Sequence, residues 1–167
     1  MKIAVDLGHG VNPDRGAVGI KSEEDMINAT GKKLIELLKA AGHSILEVRP
    51  KKATSVNDSL RQRVEAANSW GADLYISVHF NAFNGKASGE EVFATSEVGK
   101  RYASAVSHNL AALEFNNRGV KDGGGLYVIK NTNMPAILVE GCFVDSPEDI
   151  ARFSADKIAK AIADGIK

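Results

Sequence analysis

The chain has 167 residues, of which 44% are hydrophobic, and its 21 basic and 21 acidic side chains give a formal net charge of zero. This size and composition favour one domain built around a single core. A neutral chain lacks the basic surface that attracts nucleic acid or an anionic membrane, so we expect neither partner. No apolar run approaches the roughly 20 residues that span a bilayer, so we expect no membrane insertion. The single cysteine, Cys142, excludes an internal disulfide and is expected to be a small buried residue rather than a catalytic thiol.

The first half of the chain alternates predicted strands and helices. The segment "KIAVDL" is typical of a buried strand. Apolar residues at three- and four-residue steps after Ser22 predict a helix that this serine caps and that ends at Gly42. "SILEVR" predicts a second strand, residues 56–70 a second helix that Gly71 ends, and "DLYISVH" a third strand.

The second half continues the alternation. "EVFATS" predicts a strand, residues 97–113 a helix, "NNRGVKDGGG" a turn-rich connection, "LYVI" and "AILVE" two strands, and "SPEDIARF" with "ADKIAKAIADGI" the final helical segments. Strands that alternate with helices favour an α/β fold, here a three-layer α/β/α sandwich with a mostly parallel twisted sheet of about six strands. No internal repeat or linker interrupts this order, so residues 1–167 are expected to form one domain.

Three of the predicted strands end on residues that bind metals or transfer protons. These residues are His9, His79 and Glu140. If the strands are parallel neighbours, their carboxyl ends meet at one edge of the sheet, and the acidic first turn of the helix after Ser22 points back to the same edge. Two imidazoles and a carboxylate match a catalytic zinc site, with a further acid for proton transfer. The residues alone leave open a purely structural role at the sheet edge, because the ligands are too widely spaced to match a short metal-binding motif.

Four separated blocks of the chain resemble the zinc-dependent N-acetylmuramoyl-L-alanine amidases, a family that includes phage endolysins. The blocks are "VDLGHG", the acidic helix start, "ISVHFNA" and "MPAILVEGCF", and they follow the order of the family over nearly the whole chain. The resemblance implies a zinc hydrolase that cuts the amide between N-acetylmuramic acid and L-alanine in peptidoglycan. It also implies Zn²⁺ ligands at His9 and His79 and a catalytic acid at Glu140.

The third zinc ligand implied by the resemblance is a glutamate at the start of the first helix, where Glu23 and Glu24 are adjacent. Counting back from Gly42 by the interval usual in the family selects Glu23. A gap of one residue would instead select Glu24, with Asn28 one turn later as in the family. We therefore expect Glu23 to be the ligand, with Glu24 as the alternative, and the remaining acid to complement the helix dipole.

The resemblance also suggests residues that contact the substrate. Asn81, two positions after the second histidine, matches a family asparagine, although an Asx turn would use it equally well. Arg118 and Lys121 are similar to a loop near the family's cleft, where Arg118 is the candidate for binding the anionic peptide stem; a solvated loop is the alternative. His43 and His108 are expected at the surface, away from the site.

The resemblance implies peptidoglycan as the partner of a monomeric catalytic domain, with wall recognition supplied by a separate domain. The N-terminus has no apolar signal stretch, so we expect synthesis in the cytoplasm followed by action on the bacterial wall. A phage endolysin and a bacterial autolysin both fit these features. Two other functions stay open: a zinc peptidase that cuts another peptidoglycan amide, and a wall-binding module without activity.

Overall fold

Six strands form one sheet in the computed structural model, which describes residues 1–167. The strands are β1 (Lys2–Leu7), β2 (Ser44–Glu47), β3 (Leu74–Asn81), β4 (Glu90–Ala94), β5 (Asn117–Asp122) and β6 (Ala136–Phe143). The helices are α1 (Glu23–Ala40), α2 (Val56–Trp70), α3 (Glu97–Ala111), α4 (Tyr127–Asn131), α5 (Pro147–Arg152) and α6 (Ala155–Asp164).

The sheet has the strand order β2-β1-β3-β6-β4-β5. All neighbouring strands are parallel except β4 and β6, which are antiparallel. This topology confirms the predicted α/β class with a mostly parallel sheet. Because β1, β3 and β6 are adjacent and parallel, their carboxyl ends lie at one edge of the sheet, where ligands collect in open α/β folds.

Helices cover both faces of the sheet, and each face has its own apolar core. On one face, α1, α3 and α6 pack against buried residues such as Ile76 and Val139. On the other face, α2 and α4 pack against Tyr75, Leu138 and Ala4. The two cores use alternate residues of the same strands, as the pleat of a sheet requires. None of the helices is both long and apolar enough to cross a membrane.

The start of α1 is placed by a cap and by close packing on β1. Ser22 has extended backbone, and its side chain accepts a hydrogen bond from the Asp25 backbone N–H, as expected of an N-cap. A Cβ at Gly31 would lie 2.0 Å from Leu7 Cδ2, so only glycine lets the helix approach the strand this closely. This contact places the third turn of α1 against the last residue of β1, and Glu23 at the start of the helix lies beyond that end of the strand, near His9.

Two predicted elements were wrong. "NRGVKD", predicted as a turn, is the edge strand β5, whose mostly exposed residues pair with β4. "LYVI", predicted as a strand, lies at the start of the short helix α4 and buries Val128 and Ile129 against the sheet. A four-residue apolar run has no measurable period, and pairing with a neighbour can make a strand of a segment with low strand propensity.

Candidate metal and catalytic site

Three side chains converge at the carboxyl edge of β1 and β3. One ligand atom from each of His9, Glu23 and His79 lies within 4.8 Å of the others. Glu23 Oε1 is 3.5 Å from His9 Nε2 and 3.3 Å from His79 Nδ1. The histidines come from the end of β1 and from β3, and the glutamate is the first residue of α1. The fold thus gathers three potential ligands from segments far apart in the sequence.

The backbone around His9 is arranged to turn its imidazole toward the other two residues. His9 has a φ of 52°, a left-handed conformation that is uncommon for residues other than glycine. A Cβ on the preceding Gly8 would lie 2.3 Å from the His79 ring, so the absence of a side chain there makes room for the second imidazole. His9 Nδ1 lies 2.8 Å from Asp14 Oδ1, which leaves Nε2 facing Glu23.

The two adjacent glutamates face different surroundings. Glu23 is buried; Oε1 accepts a hydrogen bond from the Phe80 backbone N–H at 3.2 Å, and Oε2 accepts one from Ala17 N–H at 2.8 Å. Glu24 instead lies 2.8 Å from Arg15 Nε and accepts a hydrogen bond from Gly16 N–H. The structure therefore brings Glu23, and not Glu24, to the two histidines.

The cluster has the electrostatics of a cation site. Burial lowers the pKa of His9, but hydrogen bonds and charge from Asp14 and Glu23 outweigh burial and raise this pKa to about 10. Burial raises the pKa of Glu23, but hydrogen bonds and charge from His79 and His9 bring it below its usual range. The raised pKa of His9 reflects the negative charge that Asp14 and Glu23 place around the ring, and the same negative charge would stabilise a metal ion bound to the neutral imidazole.

The donor set also fits zinc. Two imidazole nitrogens and one carboxylate oxygen are the protein ligands of one common class of catalytic zinc site. The two separations of 3.5 and 3.3 Å between the Glu23 oxygen and the histidine nitrogens suit tetrahedral coordination, in which zinc lies about 2.0–2.2 Å from each ligand atom. Asp14 contacts Nδ1 of His9, the position from which a carboxylate commonly orients a histidine that binds a metal through its other ring nitrogen.

Glu140 lies beside this cluster on the next strand. It is the register partner of His79 across the β3–β6 pair. Burial, together with the negative charge of Glu23 and Glu91, raises the pKa of Glu140 to about 7, although the histidines oppose this effect. Its Oε2 atom is buried and has no hydrogen-bond partner. A carboxyl group with a free oxygen and a pKa near neutrality is suited to accept and return a proton.

Asn81 and Arg118 meet at a third acid, Glu91. Asn81 Nδ2 donates to Glu91 Oε1 at 3.0 Å, and Arg118 Nε donates to Glu91 Oε2 at 3.1 Å. The Arg118 guanidinium also lies 5.2 Å from the ring centroid of Phe143. Asn81 and Arg118 line a cavity of about 200 Å³ with the exposed ring of Phe83. The two residues singled out in the sequence therefore line one groove, and Glu91, which holds them, is the register partner of Glu140.

Other residues considered in the sequence lie elsewhere. Lys121 and His108 are exposed, and His43 contacts the N-terminal amine at the far end of β1. Cys142 is fully buried in the apolar core, and burial raises its thiol pKa. Sequence reasoning missed Asp14 and Glu91. Asp14 lies in a turn-rich loop and Glu91 in an ordinary strand, so neither carried a recognisable motif.

Sequence comparison shows which proteins share these features. A model of the N-acetylmuramoyl-L-alanine amidase family matches residues 3–167. The N-acetylmuramoyl-L-alanine amidase CwlM of Bacillus licheniformis is 29% identical over 99% of this chain and 65% of its own length. A sporulation-specific N-acetylmuramoyl-L-alanine amidase of Bacillus subtilis is 31% identical over 99% of this chain and 65% of its own length. The chain thus spans less than two thirds of these relatives.

Solved structures give the same result for the whole fold. The catalytic domain of an endolysin targeting Clostridia Difficile superposes with a TM-score of 0.91 at 29% identity, covering 99% of this chain and 96% of that one. The catalytic domain of CwlV, an N-acetylmuramoyl-L-alanine amidase from Bacillus (Paenibacillus) polymyxa, has a TM-score of 0.85 at 28% identity, covering 99% and 95%. The chain therefore belongs to the N-acetylmuramoyl-L-alanine amidase family.

Proposed function

We propose that this chain is a zinc-dependent amidase that hydrolyses the amide between N-acetylmuramic acid and L-alanine in peptidoglycan. The observation that carries the proposal is the convergence of His9, Glu23 and His79, with Glu140 in register beside them. Family membership supports the identity of the bond. The three converging residues are the proposed ligands of Zn²⁺, and Glu140 is the proposed catalytic residue.

Bound zinc would supply a Lewis acid that polarises the scissile carbonyl and lowers the pKa of a water molecule. Glu140 accepts the proton of the attacking water, because its buried carboxyl group has an unpartnered oxygen. It then donates this proton to the nitrogen of the departing alanine, since an amine leaves more readily when protonated. Asp14 keeps the His9 imidazole oriented through Nδ1 throughout the reaction.

Asn81 and Arg118 are the proposed substrate-binding residues. The stem peptide that begins with L-alanine carries carboxylates, and a guanidinium is well suited to bind them. Arg118 uses Nε for Glu91, and its side chain is 37% exposed, so its remaining N–H groups can face a ligand. Glu91 holds both residues at the groove and so fixes the position of the cationic group.

The proposed setting is the bacterial wall. Residues 1–167 act as one catalytic domain in this proposal, and the greater length of CwlM is consistent with wall recognition by another segment in such proteins. A monomeric state is also part of the proposal. The names of the relatives include an endolysin of a Bacillus phage and amidases of bacteria, which fits either a lytic or a remodelling role.

Digestion of purified peptidoglycan tests the proposed function. The zinc-loaded chain is incubated with wall sacculi, and the new termini are identified by mass spectrometry after labelling of free amines. We expect new amino groups on L-alanine together with intact muramic acid. New amino groups on any other residue would instead indicate a peptidase, and binding to sacculi with no new termini would indicate a wall-binding module.

A further inference from the structure

Arg63 of α2 is buried beneath the His9 loop. Its side chain is 1% exposed, as is that of Asp6, with which it forms an ion pair. Each of the five N–H groups of a guanidinium has an acceptor here. Nε donates to Ser59 Oγ, Nη1 to Asp6 Oδ1 and the Leu7 carbonyl, and Nη2 to the His9 carbonyl and Asp14 Oδ2.

Two of these hydrogen bonds act on His9 from different directions. The bond from Nη2 to the His9 carbonyl, 2.7 Å long, fixes the left-handed backbone of that residue. The bond from Nη2 to Asp14 Oδ2, 3.3 Å long, holds the carboxylate whose other oxygen contacts His9 Nδ1. Ser59 Oγ donates to the same Asp14 oxygen at 2.7 Å. One arginine thus restrains both the backbone and the ring of the proposed ligand.

We propose that Arg63 is a positioning residue of the metal centre, which acts through Asp14 and the His9 carbonyl to present His9 Nε2 to zinc. The inference rests on the proposed function only in taking His9 as a ligand. It goes further by assigning a metal-related role to α2, none of whose residues belongs to the cluster of His9, Glu23 and His79. The ligand whose binding Arg63 supports is a metal ion.

A buried ion pair that only stabilises the fold would not require this geometry. Asp6 alone would neutralise the guanidinium, and Ser77 already donates to the second oxygen of Asp6 at 2.7 Å. The additional donors of Arg63 are directed at the His9 loop. Lysine has a single nitrogen and cannot reach the His9 carbonyl, Asp14 and Asp6 in the same planar arrangement.

Zinc affinity, measured by competition with a chromogenic chelator, tests the inference without any wall substrate. Removal of a group that orients a metal ligand typically weakens binding about 10- to 100-fold, and we expect this for Arg63→Lys and for Asp14→Asn. Arg49→Lys is the matched control. Arg49 also donates near the end of β1, to the Leu7 and Gly8 carbonyls, but its remaining hydrogen bond goes to Asn28 and not to Asp14. We expect this variant to keep an affinity close to that of the parent chain.

Each outcome has a distinct meaning. Zinc affinity unchanged in Arg63→Lys, or reduced equally in Arg49→Lys, overturns the positioning role. Failure of the parent chain to bind zinc would overturn the metal proposal itself, so the two failures are distinguishable. Thermal unfolding is measured on every variant, and if Arg63→Lys does not fold, Asp14→Asn decides the test.

A second readout follows the His9 ring directly. In the zinc-loaded parent chain, long-range ¹H–¹⁵N spectra should show the His9 proton on Nδ1, protected from exchange by Asp14. We expect Asp14→Asn to increase the exchange rate of this proton, and Arg49→Lys to leave it unchanged. An identical exchange rate in Asp14→Asn and the parent chain would contradict the inference.

Discussion

His79 and Glu140 occupy paired positions on the neighbouring parallel strands β3 and β6. Glu140 is paired in turn with Glu91 on the antiparallel strand β4. Paired positions in a sheet project to the same face, so these three side chains form a row across the strands. The row runs from a proposed metal ligand through the proposed base to the acid that holds Asn81 and Arg118. Register therefore sets the relative positions of His79, Glu140 and Glu91.

Replacement of Glu140 by glutamine tests the assignment of the base. Glutamine keeps the size of the side chain but cannot accept and return the proton, so turnover of peptidoglycan should fall by roughly 100- to 10,000-fold. Zinc content, measured by elemental analysis, should stay equal to that of the parent chain. Glu148→Gln on the exposed start of α5 serves as the control and should keep full activity. Substantial turnover by Glu140→Gln would remove this residue from the mechanism.

The two adjacent glutamates offer an internal comparison. Glu23→Ala should lose both bound zinc and activity, because it removes the carboxylate between the histidines. Glu24→Ala should keep both, because it removes only contacts to Arg15 and Gly16. Zinc content after dialysis and activity on sacculi are measured for both variants. Loss of zinc in Glu24→Ala alone would transfer the ligand assignment to the second acid.

Arg118 is expected to affect substrate binding more than the chemical step. Its replacement by alanine should raise KM for soluble stem-peptide substrates by about tenfold, as expected for the loss of a charge-assisted hydrogen bond, with a smaller change in kcat. Lys121→Ala, another exposed cation of β5, is the matched control and should leave KM unchanged. Equal effects of the two substitutions would show that Arg118 acts only through general electrostatic attraction of the substrate.

Glu90 should make stability depend on pH, independently of the metal centre. This carboxyl group is fully buried and accepts a hydrogen bond from Ser107; burial raises its pKa to about 7, from a usual value of 4.5. Between these two values the folded chain keeps a proton that the unfolded chain releases, so the stability contribution of Glu90 falls as pH rises from about 4.5 to 7.

Thermal unfolding across this pH range checks the prediction. Between the two pH values, the melting temperature of Glu90→Gln should fall less than that of the parent chain. The amide does not titrate and can still accept a hydrogen bond from Ser107. Glu97→Gln, at the exposed start of α3, should follow the parent chain. Parallel curves for Glu90→Gln and the parent chain would show that the buried carboxyl group does not carry the effect.

The elements that the sequence predicted well have strong periodic patterns and clear ends. The helix after Ser22 formed with its expected N-cap, and the helix before Gly71 with its expected left-handed C-cap, since a serine cap and a left-handed glycine act locally. The first helix has Ala41 as its C-cap, one residue before the expected Gly42. β5 and α4 differ because their structure depends on partners distant in the chain. β5 exists through its pairing with β4, and α4 through packing of Val128 and Ile129 on the sheet.

The site residues also divide into those that local patterns predicted and those that depend on distant parts of the chain. His9 follows β1, and His79 and Glu140 lie in the carboxyl halves of β3 and β6, where a parallel sheet brings residues together, so their proximity followed from the predicted fold. The predicted fold did not identify the groups that orient these residues. Asp14 and Arg63 are 49 positions apart, and their contact depends on how α2 packs beneath a loop. No local pattern encodes such a contact.

The central claim is that one zinc ion binds between β1, β3 and the start of α1. Anomalous diffraction at the zinc edge, from crystals of the chain purified without chelators, tests it most directly. We expect one strong peak at about 2.0–2.2 Å from His9 Nε2, His79 Nδ1 and a carboxylate oxygen of Glu23. A peak bound by other side chains, or no peak in crystals grown with zinc in excess, would contradict the account.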